Sequence, residues 1–398
     1  MQYSRKAERE INENGVEFEM GSVLARVSEL TDIRKAKGKR YSLTTILMII
    51  LMAKLCGENK LVEIADWAKN RQAELVKLLC LERQTMPNHN TYRRILAYAL
   101  YENEIERLVG EYNQEGEHGD VYAMDGKAIR GMRKKDETLS EYALSVCDVK
   151  QGKVLSQVQV GRKENEISKA PEALKLVKIA GKVVTGDAMH TQKRLSTQIL
   201  EERGDYVFPV KENQGRLYKS IQELFAPEYP KPGFGKIQTD FQTAQKANKG
   251  HGRLEVRTIQ TSEMLNFYSG WPGLAQVYRL ERTIQYWRSG KCYRTTCEVE
   301  FGITSLSRQK ASAPRLLEIR RTHWSIESGL HYRRDVTLKE DATRMTVGNT
   351  GIIMASINNL VLALIRQAKF YNAAQARRWL AANLPCAFSL LTTPSLLL

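Results

Sequence analysis

Three carboxylates in this 398-residue chain sit in local phrases suited to chemistry. Asp125 lies in Val-Tyr-Ala-Met-Asp-Gly-Lys, Asp187 in Val-Val-Thr-Gly-Asp-Ala-Met-His-Thr-Gln, and Glu327 in Arg-Arg-Thr-His-Trp-Ser-Ile-Glu. The first two end short apolar runs with the composition of β-strands, and the third falls in a stretch with helical spacing. Magnesium prefers oxygen ligands and keeps several of its waters, so three converging carboxylates suffice for a pair of ions without any histidine cluster. Two such ions about 4 Å apart flank a phosphorus atom, activating the attacking oxygen and stabilising the leaving one. In that arrangement Asp125 bridges both ions, Asp187 holds one and Glu327 the other, with Mn²⁺ able to substitute. The expected chemistry is phosphoryl transfer on nucleic acid. Each acid alone has a plain reading, because Asp-Gly turns and strand-end aspartates are common.

Other polar groups cluster around these phrases. Arg320, His323, Glu327, His331 and Arg334 recur at intervals of three and four, which predicts one helical face, with Ile319, Ile326 and Leu330 on another. Such a face suits metal and phosphate; a surface helix with ordinary ion pairs is the alternative. Trp324 is a candidate to stack on an unpaired base, although core packing is the commoner fate of tryptophan. His190 and Lys211 are candidates for phosphate contacts. Gly250-His251-Gly252-Arg253 reads as a turn whose His251 and Arg253 suit a DNA backbone, or equally as a surface loop without function. The basic run Arg133-Lys134-Lys135 reads as solvated.

The elements that must position these groups follow from the rest of the chain. Sixty-one Lys and Arg against 45 Asp and Glu give a net charge of +16, a surplus that favours a polyanionic partner through counterion release. Leu43–Leu55 and Ile352–Ile365 are apolar but fall short of the roughly 20 residues a membrane helix needs, and read as buried helices. No secretion signal is expected at the N-terminus. The six cysteines are scattered without a zinc pattern, which predicts reduced thiols in a cytosolic protein. Residues 1–117 read as helical, with Ser42, and Asn88 or Asn90, as caps and Gly57 as a stop. Paired Arg93 and Arg94 on a late short helix resemble a helix-turn-helix arrangement; a plain helical bundle is the other reading.

From Val121 the pattern changes to three strands, a helix starting at Pro171, a strand over Lys182–Thr185, a helix and a strand over Asp205–Val210. That order is the one of an RNase H-like α/β core, in which the first and fourth strands are neighbours. Residues 226–308 read as a β-rich insertion, with strands at Leu254–Gln260, Ala275–Ile284 and Tyr293–Phe301, and Leu316–Leu338 as one helix. The expected fold class is α/β: an RNase H-like core in two parts (118–225 and 309–370) with a β-rich insertion, preceded by an all-helical N-terminal domain (1–117) and followed by a C-terminal tail (371–398).

Five phrases together carry a resemblance: Met-Asp-Gly-Lys-Ala-Ile-Arg-Gly (124–131), Thr-Gly-Asp-Ala-Met-His-Thr-Gln (185–192), Tyr-Val-Phe-Pro-Val-Lys-Glu-Asn-Gln (206–214), Gly-His-Gly-Arg-Leu-Glu-Val-Arg (250–257) and His-Trp-Ser-Ile-Glu-Ser-Gly-Leu-His-Tyr-Arg-Arg-Asp-Val (323–336). They resemble the DDE transposases of insertion sequences, in the group that includes the H-repeat-associated proteins. Asp32-Ile33-Arg34, Arg40-Tyr41-Ser42-Leu43 and the stretch from Pro87 to Arg94 look like that family's associated helical domain. The resemblance implies Asp125, Asp187 and Glu327 as the catalytic triad and metal ligands. Lys127, Arg130, His190, Lys211, His251, Arg253, Arg320, His323, Trp324, His331, Arg93 and Arg94 are then candidate DNA contacts. It also implies cleavage at element ends, attack of a freed 3′-hydroxyl on target DNA, double-stranded DNA as partner, a synaptic homodimer, and a bacterial, nucleoid-associated cytoplasmic setting. Ser328, Tyr332 and Arg334 stand where the family has Asn, Trp and an apolar residue, and Phe301-Gly302-Ile303-Thr304-Ser305 replaces a more usual Tyr-Tyr-Ile-Ser-Ser. The competing readings are an RNase H-fold nuclease or resolvase, and an inactive DNA-binding remnant.

Overall fold

The computed structural model describes residues 8–133, 141–161, 164–227, 239–250, 252–267, 269–324 and 326–394. His251, Lys134, Lys135 and the Pro230, Pro232, Gly233 and Gly235 link lie outside the described residues. In chain order come strands β1 (Arg9–Ile11) and β2 (Glu17–Glu19), then helices α1 (Val23–Ser28), α2 (Leu43–Leu55), α3 (Leu61–Asn70), α4 (Gln72–Leu78), α5 (His89–Tyr98) and α6 (Glu102–Asn113). Strands β3 (Val121–Ile129), β4 (Glu141–Asp148) and β5 (Lys153–Val160) follow, then α7 (Glu166–Lys175), β6 (Val183–Thr185), α8 (Lys193–Glu201), β7 (Asp205–Val210) and α9 (Gly215–Leu224). Strands β8 (Gln242–Gly250), β9 (Arg253–Ser262), β10 (Gln276–Arg288) and β11 (Lys291–Thr304) precede α10 (Ala313–His323). Two π-helical turns, Ile326–His331 and Arg333–Thr337, lead to α11 (Thr350–Gln367), α12 (Ala373–Ala382) and α13 (Leu384–Thr392). Residues 371–398, expected as a tail, thus carry two helices.

The chain divides into two compact units, Met1–His118 with Gly126–Asn165 and Glu327–Leu398, and Gly119–Asp125 with Glu166–Ile326. In the first, the N-terminal region is not all helical. β1 pairs antiparallel with β2, Glu10 opposite Phe18. The Asn12 side chain accepts from the Asn14 and Val16 N–H groups and Gly15 turns at φ +88°, which closes a hairpin that the mixed polar sequence does not advertise. The Ser42 hydroxyl accepts from the Thr45 N–H at 3.1 Å to start α2, and Gly57 at φ +118° follows its end. Nearly every residue of α2 is buried, so the helix is apolar all round rather than amphipathic. α11 is long and apolar enough to cross a membrane, yet 89% of it is buried inside the protein; it packs on α2, α5, α6 and β5.

Arg377 of α12 is 5% exposed and ties this unit together. Its guanidinium donates to the carbonyls of Lys54 (2.9 Å), Glu58 (3.0 Å) and Thr337 (2.7 Å) and to Asn59 Oδ1 (2.9 Å). A cation at the carbonyl end of α2 satisfies groups the helix leaves open and opposes its macrodipole. Arg377→Met should therefore cost about 3 kcal/mol, because it strips buried carbonyls of a charged donor. A urea-unfolding midpoint that barely moves would show that those carbonyls find other donors.

The segment expected as one helix over Leu316–Leu338 breaks after His323 into π-turns. Wider π spacing takes residues three and four apart off a common face. Arg334 accordingly points inward, fully buried, with Nε and Nη2 donating to Glu340 at 2.8 and 2.7 Å, while Asn358 donates to the same carboxylate at 2.7 Å.

The second unit is built on the first half of β3. It runs parallel to β6, which is parallel to β7; β7 pairs antiparallel with β11, and β10, β9 and β8 follow as antiparallel neighbours. The fold is therefore mixed α/β with a large mixed sheet. β8 (Gln-Thr-Ala-Gln-Lys-Ala-Asn-Lys-Gly) escapes the sequence reading because an edge strand exposed along most of its length needs no apolar alternation. Pro171 is interior to α7 rather than in its first turn. The helix begins earlier, at Glu166, and Pro171 forfeits one backbone bond there.

Candidate active site

Asp125 and Asp187 belong to the same unit, but only Asp187 lies past the end of its strand: Asp125 is the fifth of the nine residues of β3, not the strand end that its phrase predicts. β3 and β6 are parallel neighbours with Ala123 opposite Thr185, and each aspartate stands two residues beyond that pair. Parallel strands about 5 Å apart share chain direction, so the two aspartates stand at the same level along neighbouring strands. Asp187 opens a 3₁₀ turn, its carbonyl accepting the His190 N–H at 3.0 Å. A Cβ at Gly186 would stand 3.3 Å from the His190 side chain, which would have to give by a few tenths of an ångström. His190, expected as a phosphate contact, is fully buried, with Nε2 3.7 Å from Glu166 Oε2.

His323, at the end of α10, brings Nε2 to 3.5 Å from Asp187 Oδ1, a long contact for a hydrogen bond. It is the main reason the Asp187 carboxyl lies below the usual carboxylate range, against the opposing pull of its partial desolvation. Burial itself lowers His323, so the imidazole is neutral near pH 7 and Nε2–H is the proton it offers the aspartate. One turn earlier, Arg320 is 3% exposed. It donates through Nε and Nη2 to the two oxygens of Glu300 (2.8 and 2.9 Å) and through Nη1 to Thr185 Oγ1 (3.0 Å). Arg320 and His323, both expected on DNA, are instead buried beside the strand that carries Asp187.

The same unit holds a cleft of about 630 Å³ lined by Lys211, Arg257, Arg282, Arg321, Glu300 and Trp324. Arg282 pairs with Glu255 and Glu298, and Arg257 with Glu255 at 2.8 Å. Lys211 and Arg321 have no carboxylate within 4 Å among the described residues and are exposed, as is about half of Trp324. Of the cleft's cations, the sequence singles out only Lys211 and Arg320; Arg257 and Arg282 sit directly opposite each other on β9 and β10, a pairing that only strand register reveals. Arg253 is exposed at the β8–β9 turn.

In the other unit, Glu327 is exposed at the start of the first π-turn. Lys127 is buried, with Nζ 2.7 Å from Asp335 Oδ1 and 3.6 Å from Asp341 Oδ1, so its charge serves an internal pair. Arg130 is largely exposed, 3.7 Å from Asp341. Burial lowers His331 to about 3, which keeps it a neutral imidazole. Arg93 and Arg94 are exposed on α5, whose Tyr92, Ile95 and Leu96 form its buried side. Among the described residues no three His, Cys, Asp or Glu side chains are grouped to hold a metal ion. Asp125 and Asp187 are oxygen donors of the type Mg²⁺ takes while retaining water.

Residues 117–357 match the family described as Transposase DDE domain, and residues 24–112 match the one described as DDE_Tnp_1-associated. The protein named "Putative transposase YncI" of Escherichia coli O157:H7 is 29% identical over 87% of this chain and 88% of its own. The "H repeat-associated putative transposase YhhI" of Escherichia coli strain K12 is 25% identical over 91% of this chain and 94% of its own. A cryo-EM structure of a piggyBac transposase synaptic complex with hairpin DNA aligns with 92% of this chain and 78% of its own at 10% identity and a TM-score of 0.42.

Proposed function

The chain belongs to the DDE transposase family, and from that premise we propose that it cuts DNA at the ends of its own insertion sequence and joins the freed 3′-hydroxyls to target DNA. The observation that carries this reading is the parallel pairing of β3 and β6, with Asp125 and Asp187 each two residues beyond the Ala123–Thr185 pair. Glu327 enters it on its sequence phrase alone. A core of RNase H type, with three strands, a helix, a strand, a helix and a strand in chain order, is the scaffold this reading uses. Bound Mg²⁺ would supply Lewis-acid stabilisation of the attacking and leaving oxygens. The protein's part is to keep the carboxylates ionised and aimed. His323 does so at Asp187 by favouring its charged form.

Lys211, Arg321 and Trp324 are the exposed groups suited to the DNA strand near the chemistry, with Arg253, Arg93 and Arg94 as outlying phosphate contacts. Two ends must be held together for joining, so a dimer on paired inverted repeats belongs to the same reading. The test is incubation of the purified full chain with labelled element ends and a target plasmid, with Mg²⁺ or Mn²⁺ and with EDTA. Joined products that vanish with EDTA are expected. Cutting without joining would make it a nuclease of the same fold. Affinity for the ends should also fall at least about 10-fold between about 50 and 200 mM salt, as released counterions require; a flat salt response would remove the phosphate-gripping role.

A further inference from the structure

We propose that Glu300, on strand β11 of the β-rich insertion, is a positioning residue for the Asp187 carboxylate and acts through Arg320. This rests on the reading of Asp187 as a metal ligand. Arg320 is the link between the two acids. Its planar fork takes both oxygens of Glu300 on one side, and Nη1 reaches the Thr185 hydroxyl at 3.0 Å on the other. Thr185 is the last residue of β6 and stands two before Asp187. The guanidinium therefore joins three elements: the insertion strand, the last turns of α10 and the strand that ends two residues before the aspartate. His323, three residues along α10, is the group that faces Asp187 Oδ1. Any movement of that last turn moves His323 against the carboxylate.

Glu300 is itself held. The Tyr278 hydroxyl donates to Glu300 Oε1 at 3.1 Å. Tyr278 lies opposite Gly302 in the β10–β11 ladder, and a Cβ at position 302 would fall 2.1 Å from the tyrosine ring. The glycine is thus what lets the ring lie flat over the neighbouring strand. A buried arginine whose fork is committed in this way fixes direction as well as distance, which lysine could not do. Nothing in the sequence pattern marks Glu300. Glu300 and Arg320 also line the 630 Å³ cleft, so an occupant of the cleft meets the clamp directly.

The test compares Thr185→Val, Thr185→Ser, Glu300→Gln and Asp187→Asn in the full chain, with Mn²⁺ bound to the protein read by electron paramagnetic resonance, and with thermal melting and end cleavage alongside. Thr185→Val removes the hydroxyl while keeping the volume, and Thr185→Ser keeps the hydroxyl while losing a methyl. The expected result is Mn²⁺ affinity weakened about 10-fold or more in Thr185→Val and Glu300→Gln, in the range of outer-shell changes at metal sites, with rescue in Thr185→Ser even though that variant melts earlier than Thr185→Val. Affinity that follows melting temperature across the series, or wild-type affinity in Thr185→Val and Glu300→Gln while Asp187→Asn loses the ion, would overturn the proposal and leave the metal-ligand reading standing. Wild-type Mn²⁺ binding by Asp187→Asn would instead overturn that underlying reading.

Discussion

Asp187→Asn protein should bind its element ends as the wild type does and cut them on the order of 10³-fold more slowly or worse. The amide keeps the shape of the side chain and removes the charge that a divalent ion requires. Lewis-acid stabilisation of the transition state is worth several kcal/mol, and each 1.36 kcal/mol is a factor of about ten in rate. Binding should survive because the exposed cations of the cleft, Lys211 and Arg321, are untouched. The fold should survive as well, since Asp187 lies past the end of β6 with its side chain more than half exposed. Single-turnover cleavage of labelled ends, with gel-shift affinity measured in Ca²⁺, separates the two effects. Equal cutting by variant and wild type would end the metal argument.

A second large effect is expected far from any chemistry. Lys54 lies within α2, 1% exposed, and burial takes its amine from 10.5 down to about 7. With Asn59, Glu340 and Asn358 it lines a cavity of about 10 Å³, at the lower limit for one water. Between about pH 7 and 10.5 the unfolded chain therefore binds the proton that the folded chain has released. Stability must rise with pH across that window, and below it the folded state carries the full cost of charging a buried amine. That window of about 3.5 pH units at about 1.36 kcal/mol each makes this on the order of 5 kcal/mol. Lys54→Met should raise stability at pH 7 by a comparable amount and flatten its rise toward pH 10. Urea unfolding of both proteins at the two pH values decides it. A wild-type stability that falls over this range, or a slope that the Lys54→Met change leaves as before, would mean that the amine reaches solvent or a carboxylate.

Much of the local structure was legible because it obeys short-range rules. Ser42 and Asn88 accept from backbone N–H groups as caps do, Gly57 takes a positive φ at the end of α2, and β3 to β7 lie where apolar runs predict strands. Strand order in chain sequence was enough to make neighbours of the strands leading to Asp125 and Asp187, because the connections available to such a pattern are few. The unforeseen parts each depend on partners remote in the chain. β8 has no apolar period because only its edge position makes it a strand. The β1–β2 hairpin rests on turn hydrogen bonds of Asn12. The break of α10 into π-turns accompanies a buried pair, Arg334 with Glu340, that helical spacing places on an outer face.

Charge was the most misleading signal. A lysine, histidine or arginine in a basic chain reads as a hand for phosphate, and residue type carries no information about which way it faces. Lys127, His190, Arg320 and His323 all turned inward, since each found a carboxylate, a hydroxyl or a packed wall closer than solvent. The amino-acid order by itself determined the family, the phrases around the two aspartates and the surplus of positive charge. Tertiary structure alone decided which of those charges stay in water and which are spent inside, because desolvation depends on neighbours far away in the chain and leaves no trace in local spacing.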